Sequence, residues 1–365
     1  MEIIHIVLGK ANPDRLNGVN KVVYNMASEQ SKAGKSVQVW GITPNPVHDY
    51  PERNFKTVLF KEERFPFFMP KALKQAILTS KNAVFQIHGG WVPVFSTVAR
   101  FMSGHKIKYV LTPHGAYNEV AMKRSGLQKK IYFHLFEKGV LKHAHKVHSI
   151  GGSEVDGLMK IYPKASSFLL PYGFKATQTE SETSKNKDFT IGFVGRLETH
   201  TKGLDLLIKA FEIFHKYHPY SKLWIIGDGE GRDYLENFID INQVENVVLW
   251  GKKFGEEKDE LISKMHVFAH PSRNEGLPTA VLEAAALGTP TIVSQATNVA
   301  EYVSGYGAGI AIDNNNINAL AEAIKLLYKA YQNGEEVHYV AGARKMLEEA
   351  FSWPVLVTKY DDLYK

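Results

Sequence analysis

Two carboxylates, Glu275 and Glu283, stand eight positions apart in the stretch Arg273-Asn274-Glu275-Gly276-Leu277-Pro278-Thr279-Ala280-Val281-Leu282-Glu283-Ala284. Pro278 suits the first position of a helix, where its missing N–H would have no partner. Gly276 lets a ligand come close to the backbone, and Gly288 is placed to stop the helix after Ala284, Ala285 and Ala286. Glu275 then lies just outside a helix N-terminus, with Glu283 roughly 7–8 Å further along at 1.5 Å per residue. Free N–H groups at such a terminus attract phosphate. A carboxylate on each side suits the hydroxyls of a sugar and of a ribose, the two ends of a nucleotide-sugar.

A second basic pair completes that chemistry. The run Thr190 to Gly195 reads as a strand that ends in Arg196-Leu197, and Lys202-Gly203 precede the apolar helical pattern Leu204 to Tyr217. Two fixed cations at a strand end and a helix start suit a diphosphate. Arginine grips it through parallel N–H bonds and lysine acts as a point charge. In the first half, Gln86-Ile87-His88-Gly89-Gly90-Trp91 and Thr112-Pro113-His114-Gly115-Ala116-Tyr117 place a histidine before a glycine at two strand ends. Trp91 and Tyr117 are then positioned to stack on a sugar face.

Positioning such residues takes parallel strands, because ligands of open α/β sheets bind beyond the carboxyl ends of the strands. Short Val/Ile-rich runs at 2–8, 36–42, 56–60, 83–88, 108–112, 146–150 and 167–170 read as buried strands of a first sheet. Those at 190–195, 222–227, 246–250, 267–270, 290–294 and 309–312 read as a second. Alternation with helical patterns makes both doubly wound α/β units. The 365 residues fit two domains. A polar, aperiodic stretch from Lys175 to Asp188 reads as the linker. Residues 1–174 and 189–350 are then the domains, with 351–365 packing back on the body.

Composition sets further bounds. At 44% hydrophobic and 22% charged residues, the chain is of the soluble globular kind. With no cysteine, disulfides, thiolate metal sites and a cysteine nucleophile are excluded. The apolar run Ile3 to Leu8 is short and reads as a strand, not as a signal peptide. No apolar stretch is long enough for a membrane-spanning helix. No Asp-x-Asp pair or His/carboxylate cluster has metal-ligand spacing, so no metal is expected. Residues 1–172 hold 24 Lys/Arg against 11 Asp/Glu, whereas 173–365 hold 20 against 27. The basic excess is therefore confined to the first half. Residues 121–148 carry seven Lys/Arg and one acid, with Ile131, Tyr132, Phe133, Leu135 and Phe136 between them. That interleaving suits an anionic membrane surface; nucleic acid is not expected.

Gly195-Arg196-Leu197, then Lys202-Gly203, then Glu275 and Glu283 with seven residues between, resembles the donor site of glycosyltransferase family 4. The resemblance runs through the second half, including Pro271-Ser272 and the closing Phe351-Ser352-Trp353. It implies the GT-B fold, two Rossmann-like domains facing across a cleft, with the first binding the acceptor and the second the donor. It also implies retaining transfer from a UDP-sugar or GDP-sugar to a glycan or lipid-linked glycan, with no cofactor. Such a protein would serve cell-surface polysaccharide or lipopolysaccharide biosynthesis, in the cytoplasm and peripheral at the inner membrane face. By resemblance Arg196 and Lys202 hold the diphosphate, Glu275 and the Gly276, Leu277, Pro278 and Thr279 backbone meet sugar and phosphate, and Glu283 binds the ribose. Gly18, from a loop the family usually writes Gly-Gly and this chain writes Asn17-Gly18, faces the donor, and His114 bonds the donor sugar. His114, Glu275, Arg196 and Lys202 are the expected catalytic group; Asn17, His88, Trp91 and Tyr117 are the expected acceptor contacts. A nucleotide-sugar 2-epimerase and a non-catalytic nucleotide-sugar binding protein stand as alternatives.

Overall fold

The computed structural model describes residues 1–12, 18–118, 126–175 and 184–365. The chain divides into two compact α/β units, one of Met1–Gly173 with Trp353–Lys365 and one of Phe174–Ser352. In the first unit seven strands make one parallel sheet. They are β1 (Glu2–Leu8), β2 (Ser36–Thr43), β3 (Lys56–Lys61), β4 (Ala83–His88), β5 (Tyr109–Thr112), β6 (Lys146–Ser149) and β7 (Ser167–Leu169), in the order β3-β2-β1-β4-β5-β6-β7. In the second unit β8 (Thr190–Val194), β9 (Lys222–Ile226), β10 (Val247–Gly251), β11 (Val267–His270), β12 (Thr291–Ser294) and β13 (Gly309–Ile312) follow the order β10-β9-β8-β11-β12-β13. Both sheets are doubly wound, and the order reverses between β1 and β4 in one and between β8 and β11 in the other. The crevices beyond those reversals are where such sheets hold ligands.

The strands form where the sequence is apolar on both faces, because helices cover both sides of a parallel sheet. In the second unit Ile191, Phe193 and Ile225 pack with Leu207 and Phe211 of the helix Leu204–His215 and Ile324 of the helix Ile317–Asn333. The first unit is different. Ile4, Ile6, Phe85, Ile87 and Leu111 make an apolar face packed with Val94, Val98 and Met102 of the helix Pro93–Gly104. Period-two alternation then turns His5, Gln86, His88, Thr112 and His148 to the opposite face. All five are nonetheless buried. The helices Gly18–Lys32 and Trp353–Tyr364 supply their partners, through Gln30 and Tyr364.

The closing helix belongs to the first unit by direct contact. A Cβ on Gly173 would lie 2.2 Å from the Trp353 ring, so the indole rests on bare backbone. Phe351 remains in the core of the second unit. Lys185, in the stretch read as a linker, is anchored in the second unit instead. Its ammonium donates to the Met265 carbonyl at 2.6 Å and to Thr289 Oγ1 at 3.2 Å. Among the described residues no helix is long and apolar enough to cross a membrane.

Candidate active site

The loops after β8 and β11, on either side of the sheet reversal, carry the donor-site candidates. After β8 the chain runs through Gly195-Arg196-Leu197 into a one-turn helix, Thr199–Lys202. Gly203 follows with φ +68°, ending that turn and starting the helix Leu204–His215. A Cβ at Gly203 would stand 2.1 Å from the Pro271 carbonyl oxygen, so this glycine also lets the two loops touch. The Gly227–Gly231 run closes on the first loop from the other side. Gly227, at φ +144°, leaves 1.8 Å between a would-be Cβ and the Gly195 carbonyl oxygen.

Lys202 and Glu275, 73 residues apart in sequence, meet here as an ion pair of 2.5 Å. Both side chains are largely covered, at 16% and 18% exposure. A clamp beside them holds the two loops together. Arg273 makes parallel bonds to Asp205 at 2.7 and 2.8 Å, and its backbone N–H donates to Thr201 at 2.8 Å. Ser272 Oγ donates to the Thr201 carbonyl at 2.7 Å. Arg196 is exposed, and among the described residues its side chain pairs with its near neighbour Glu198, at 3.1 Å.

Beyond Glu275, Pro278 precedes the helix Thr279–Ala286 and does not occupy its first turn. Its ψ of 101° is extended, so the helix opens one residue later than the Pro rule suggests. The first N–H groups of the helix have no acceptor within it. The helix stops as its sequence indicates. Gly288 N–H bonds the Ala285 carbonyl and Thr289 N–H the Ala284 carbonyl, a paired C-terminal closure at a left-handed glycine. Glu283 faces Lys258 of the helix Gly255–Lys264 at 2.6 Å. Lys258 escaped the sequence reading because nothing local links an acidic surface helix to a residue 25 positions on. Arg273 and Asp205 did leave a signal, since each adjoins a motif already recognised.

In the first unit the structure changes several expectations. His88 is buried and both its ring nitrogens are taken, by His5 at 2.9 Å and His114 at 2.9 Å. It has no atom left for an acceptor. Tyr117 is fully buried, with its hydroxyl on the Glu137 carboxylate, so it cannot stack on a sugar. Both lie inward because a strand end covered by a following loop is interior, whatever its residue type. Trp91 is part-exposed, but its indole N–H donates to the Ala116 carbonyl at 3.0 Å and its ring packs edge-on to Tyr117. Gly18 opens the helix Gly18–Lys32, and a Cβ there would touch nothing within 4 Å, so the position does not demand glycine. Asn17 lies outside the described residues.

His114 follows β5 with φ +56°, a left-handed conformation unusual for a side-chain-bearing residue. Glu154 stabilises this turn by accepting the Gly115 N–H at 2.6 Å and the Ile150 N–H at 3.0 Å. The ring nitrogens of His114 are bonded to His88 and to the Tyr172 hydroxyl. A direct bond from His114 to a donor sugar therefore requires one of these to break.

Burial keeps these histidines neutral. It lowers His5 and His148 to about 4, His114 to about 3 and His88 well below the ordinary 6.5. In the second unit burial takes His266 to about 4 and His270 to about 3. The unfolded chain binds protons to all six near 6.5, so their stabilisation is complete above that pH and is lost as pH falls toward 3–4. Glu154, raised by burial to about 7, and Glu137, also raised by burial, act in the opposite sense. Their contribution is complete below the ordinary 4.5 and is lost as pH rises through the folded value. Six histidines outweigh two carboxyls. The melting temperature should therefore be lower at pH 5 than at pH 7.5 in a calorimetric scan, and equal values would contradict this balance.

Residues 16–168 match the family model described as Glycosyltransferase Family 4, and residues 174–346 the model described as glycosyl transferases group 1. The capsular polysaccharide biosynthesis glycosyltransferase CapM of Staphylococcus aureus is 29% identical over 183 residues, 49% of this chain and 46% of that protein. The chain thus spans about half the length of that relative. An uncharacterized glycosyltransferase of Haemophilus influenzae is 25% identical over 321 residues, 85% of this chain and 86% of that one. Among solved structures, Anabaena HepE in complex with UDP-glucose superposes with a TM-score of 0.70 at 14% identity, over 100% of this chain and 99% of that one. The chain belongs to the family 4-like glycosyltransferases and has the GT-B fold.

Proposed function

We propose that this protein is a retaining glycosyltransferase that moves a sugar from a UDP- or GDP-sugar to a glycan or lipid-linked glycan acceptor. Its place would be cell-surface polysaccharide or lipopolysaccharide synthesis on the cytoplasmic side of a membrane. The Lys202–Glu275 pair at the β8/β11 reversal, with a helix N-terminus beside it, carries this reading. CapM is named a capsular polysaccharide biosynthesis glycosyltransferase, and HepE, which shares the fold, is seen in complex with UDP-glucose.

In this mechanism the diphosphate enters against Lys202, Arg196 and the N–H groups around Gly276, Leu277 and Thr279. Pro278 contributes shape and no N–H. Lys202 exchanges Glu275 for phosphate, and Glu275 turns to the sugar hydroxyls. The fixed cations and the helix terminus then stabilise the charge that develops on the departing diphosphate. Glu275 and Glu283 have separate partners, Lys202 and Lys258, so they are not the paired acid and nucleophile of a retaining glycosidase. The glycosidic bond to phosphate breaks as the acceptor oxygen attacks the same face. The leaving phosphate oxygen takes the acceptor proton.

Glu283 exchanges Lys258 for the ribose diol in the same way. Titration calorimetry of UDP and GDP tests this. Glu283→Ala should weaken the preferred nucleotide about tenfold, the worth of one charge-assisted hydrogen bond. An unchanged affinity would remove Glu283 from the site, and no binding of either nucleotide to the unaltered protein would refute the donor reading.

The acceptor side rests on the helix Gly126–Tyr132 and its continuation to His143. Leu127, Ile131 and Leu135 are exposed at four-residue spacing, with Lys130, Lys138 and Lys142 also exposed. Phe67 packs on Phe136 at 4.6 Å, and its near neighbours Phe65 and Phe68 are exposed. An apolar stripe edged by lysines suits an anionic lipid surface, where a lipid-linked acceptor would be found. Flotation should recover the protein with phosphatidylglycerol vesicles at low salt and not with phosphatidylcholine. Leu135→Glu should reduce recovery, and failure to float with anionic vesicles would reject the membrane assignment.

A further inference from the structure

The buried polar face of the first sheet forms one continuous chain of hydrogen bonds, and a single backbone carbonyl sets its direction. His148 Nε2 is 2.7 Å from the Leu170 carbonyl oxygen, which can only accept. His148 therefore carries its proton on Nε2, and Nδ1 accepts from Thr112 Oγ1 at 3.2 Å. With its proton spent, Thr112 accepts from the Gln86 amide nitrogen at 2.7 Å. The Gln86 oxygen then faces the Tyr364 hydroxyl, which donates to it at 2.6 Å. Tyr364 accepts in turn from the Gln30 amide nitrogen at 2.9 Å.

The direction continues through the histidines. The Gln30 oxygen accepts from His5 Nε2 at 2.8 Å, so His5 Nδ1 accepts from His88 Nε2 at 2.9 Å. His88 Nδ1 accepts from His114 Nε2 at 2.9 Å, and His114 Nδ1 is left to accept the Tyr172 hydroxyl proton. From His148 to His114 each group both donates and accepts, and reversing a link between them would set two donors or two acceptors against each other.

We propose that this run of hydrogen bonds, anchored at the Leu170 carbonyl, holds His114 as the Nε2–H tautomer, with its Nδ1 committed to the Tyr172 hydroxyl proton. The tautomer assignment stands on the hydrogen bonds alone. Tyr364, on the closing helix, is then a positioning residue that acts on His114 through Gln30, His5 and His88.

Nitrogen-15 NMR of the histidine side chains tests the tautomer without substrate. In the unaltered protein His114 should be protonated on Nε2 only, and protonation on Nδ1 would overturn the proposal. Tyr364→Phe removes the link between the two halves. Gln30 is then free to turn, and His114 should show both tautomers. Tyr172→Phe should leave His114 on Nε2–H, because the direction is set from the far end. An unchanged His114 in Tyr364→Phe, or a tautomer switch in Tyr172→Phe, would refute the chain as the cause. A protein inactive with every nucleotide-sugar would sink the transferase reading while the tautomer result stood.

Discussion

Replacing Lys202 with alanine should lower turnover by about 10²–10³, the usual cost of removing one fixed group that stabilises a leaving charge. The same change exposes a second effect that must be separated from the first. Lys202 and Glu275 are each more than four-fifths covered, so alanine at 202 leaves a carboxylate without its partner in a poorly solvated place. Breaking one side of such a pair costs more than the pair itself contributes. Lys202→Ala should therefore also lower thermal stability. Adding Glu275→Gln removes the stranded charge, and the double variant should regain much of the lost stability and none of the lost turnover. If the double variant recovered activity, Lys202 would be a structural partner of Glu275 and nothing more. Near-normal turnover in Lys202→Ala would remove the phosphate assignment.

Gly203→Ala should cost about 3 kcal/mol or more of folding stability, measured by urea denaturation. Two separate effects add at this position. A left-handed conformation costs an alanine roughly 1–2 kcal/mol. The new methyl would also sit 2.1 Å from the Pro271 carbonyl oxygen, so one of the two loops must move. Gly34 separates the two effects. It has φ +79° and nothing within 4 Å of a would-be Cβ, so Gly34→Ala should show the strain alone. A Gly203→Ala variant no less stable than Gly34→Ala would mean the loops yield freely. Movement of the loops would carry Lys202 away from Glu275, so turnover should fall in Gly203→Ala and remain normal in Gly34→Ala.

The strands were legible because parallel strands buried on both faces are short apolar runs, and each expected run lies within about a residue of an observed strand. The end of the helix Thr279–Ala286 was legible because a helix stop is a local event at Gly288. Its start was displaced by one residue, since the conformation of Pro278 depends on the loop leading into it. Burial at strand ends was not legible. His88 and Trp91 lie in one short segment, yet the first is interior and the second part-exposed. The difference comes from loops and helices distant in the chain.

By itself the sequence determined two doubly wound sheets, the residue types at their strand ends, and a spacing of basic and acidic groups that resembles one transferase family. These are properties of short segments, fixed by periodicity, turn residues and local charge. Only the tertiary structure decided which of them meet. The β8/β11 reversal brings Lys202 to Glu275 across 73 residues, and the closing helix brings Tyr364 to Gln86 across 278. Side chains so far apart in sequence pair only when strand order and helix packing put them side by side. That order is set by the burial of the whole sheet, which no short stretch of the chain encodes.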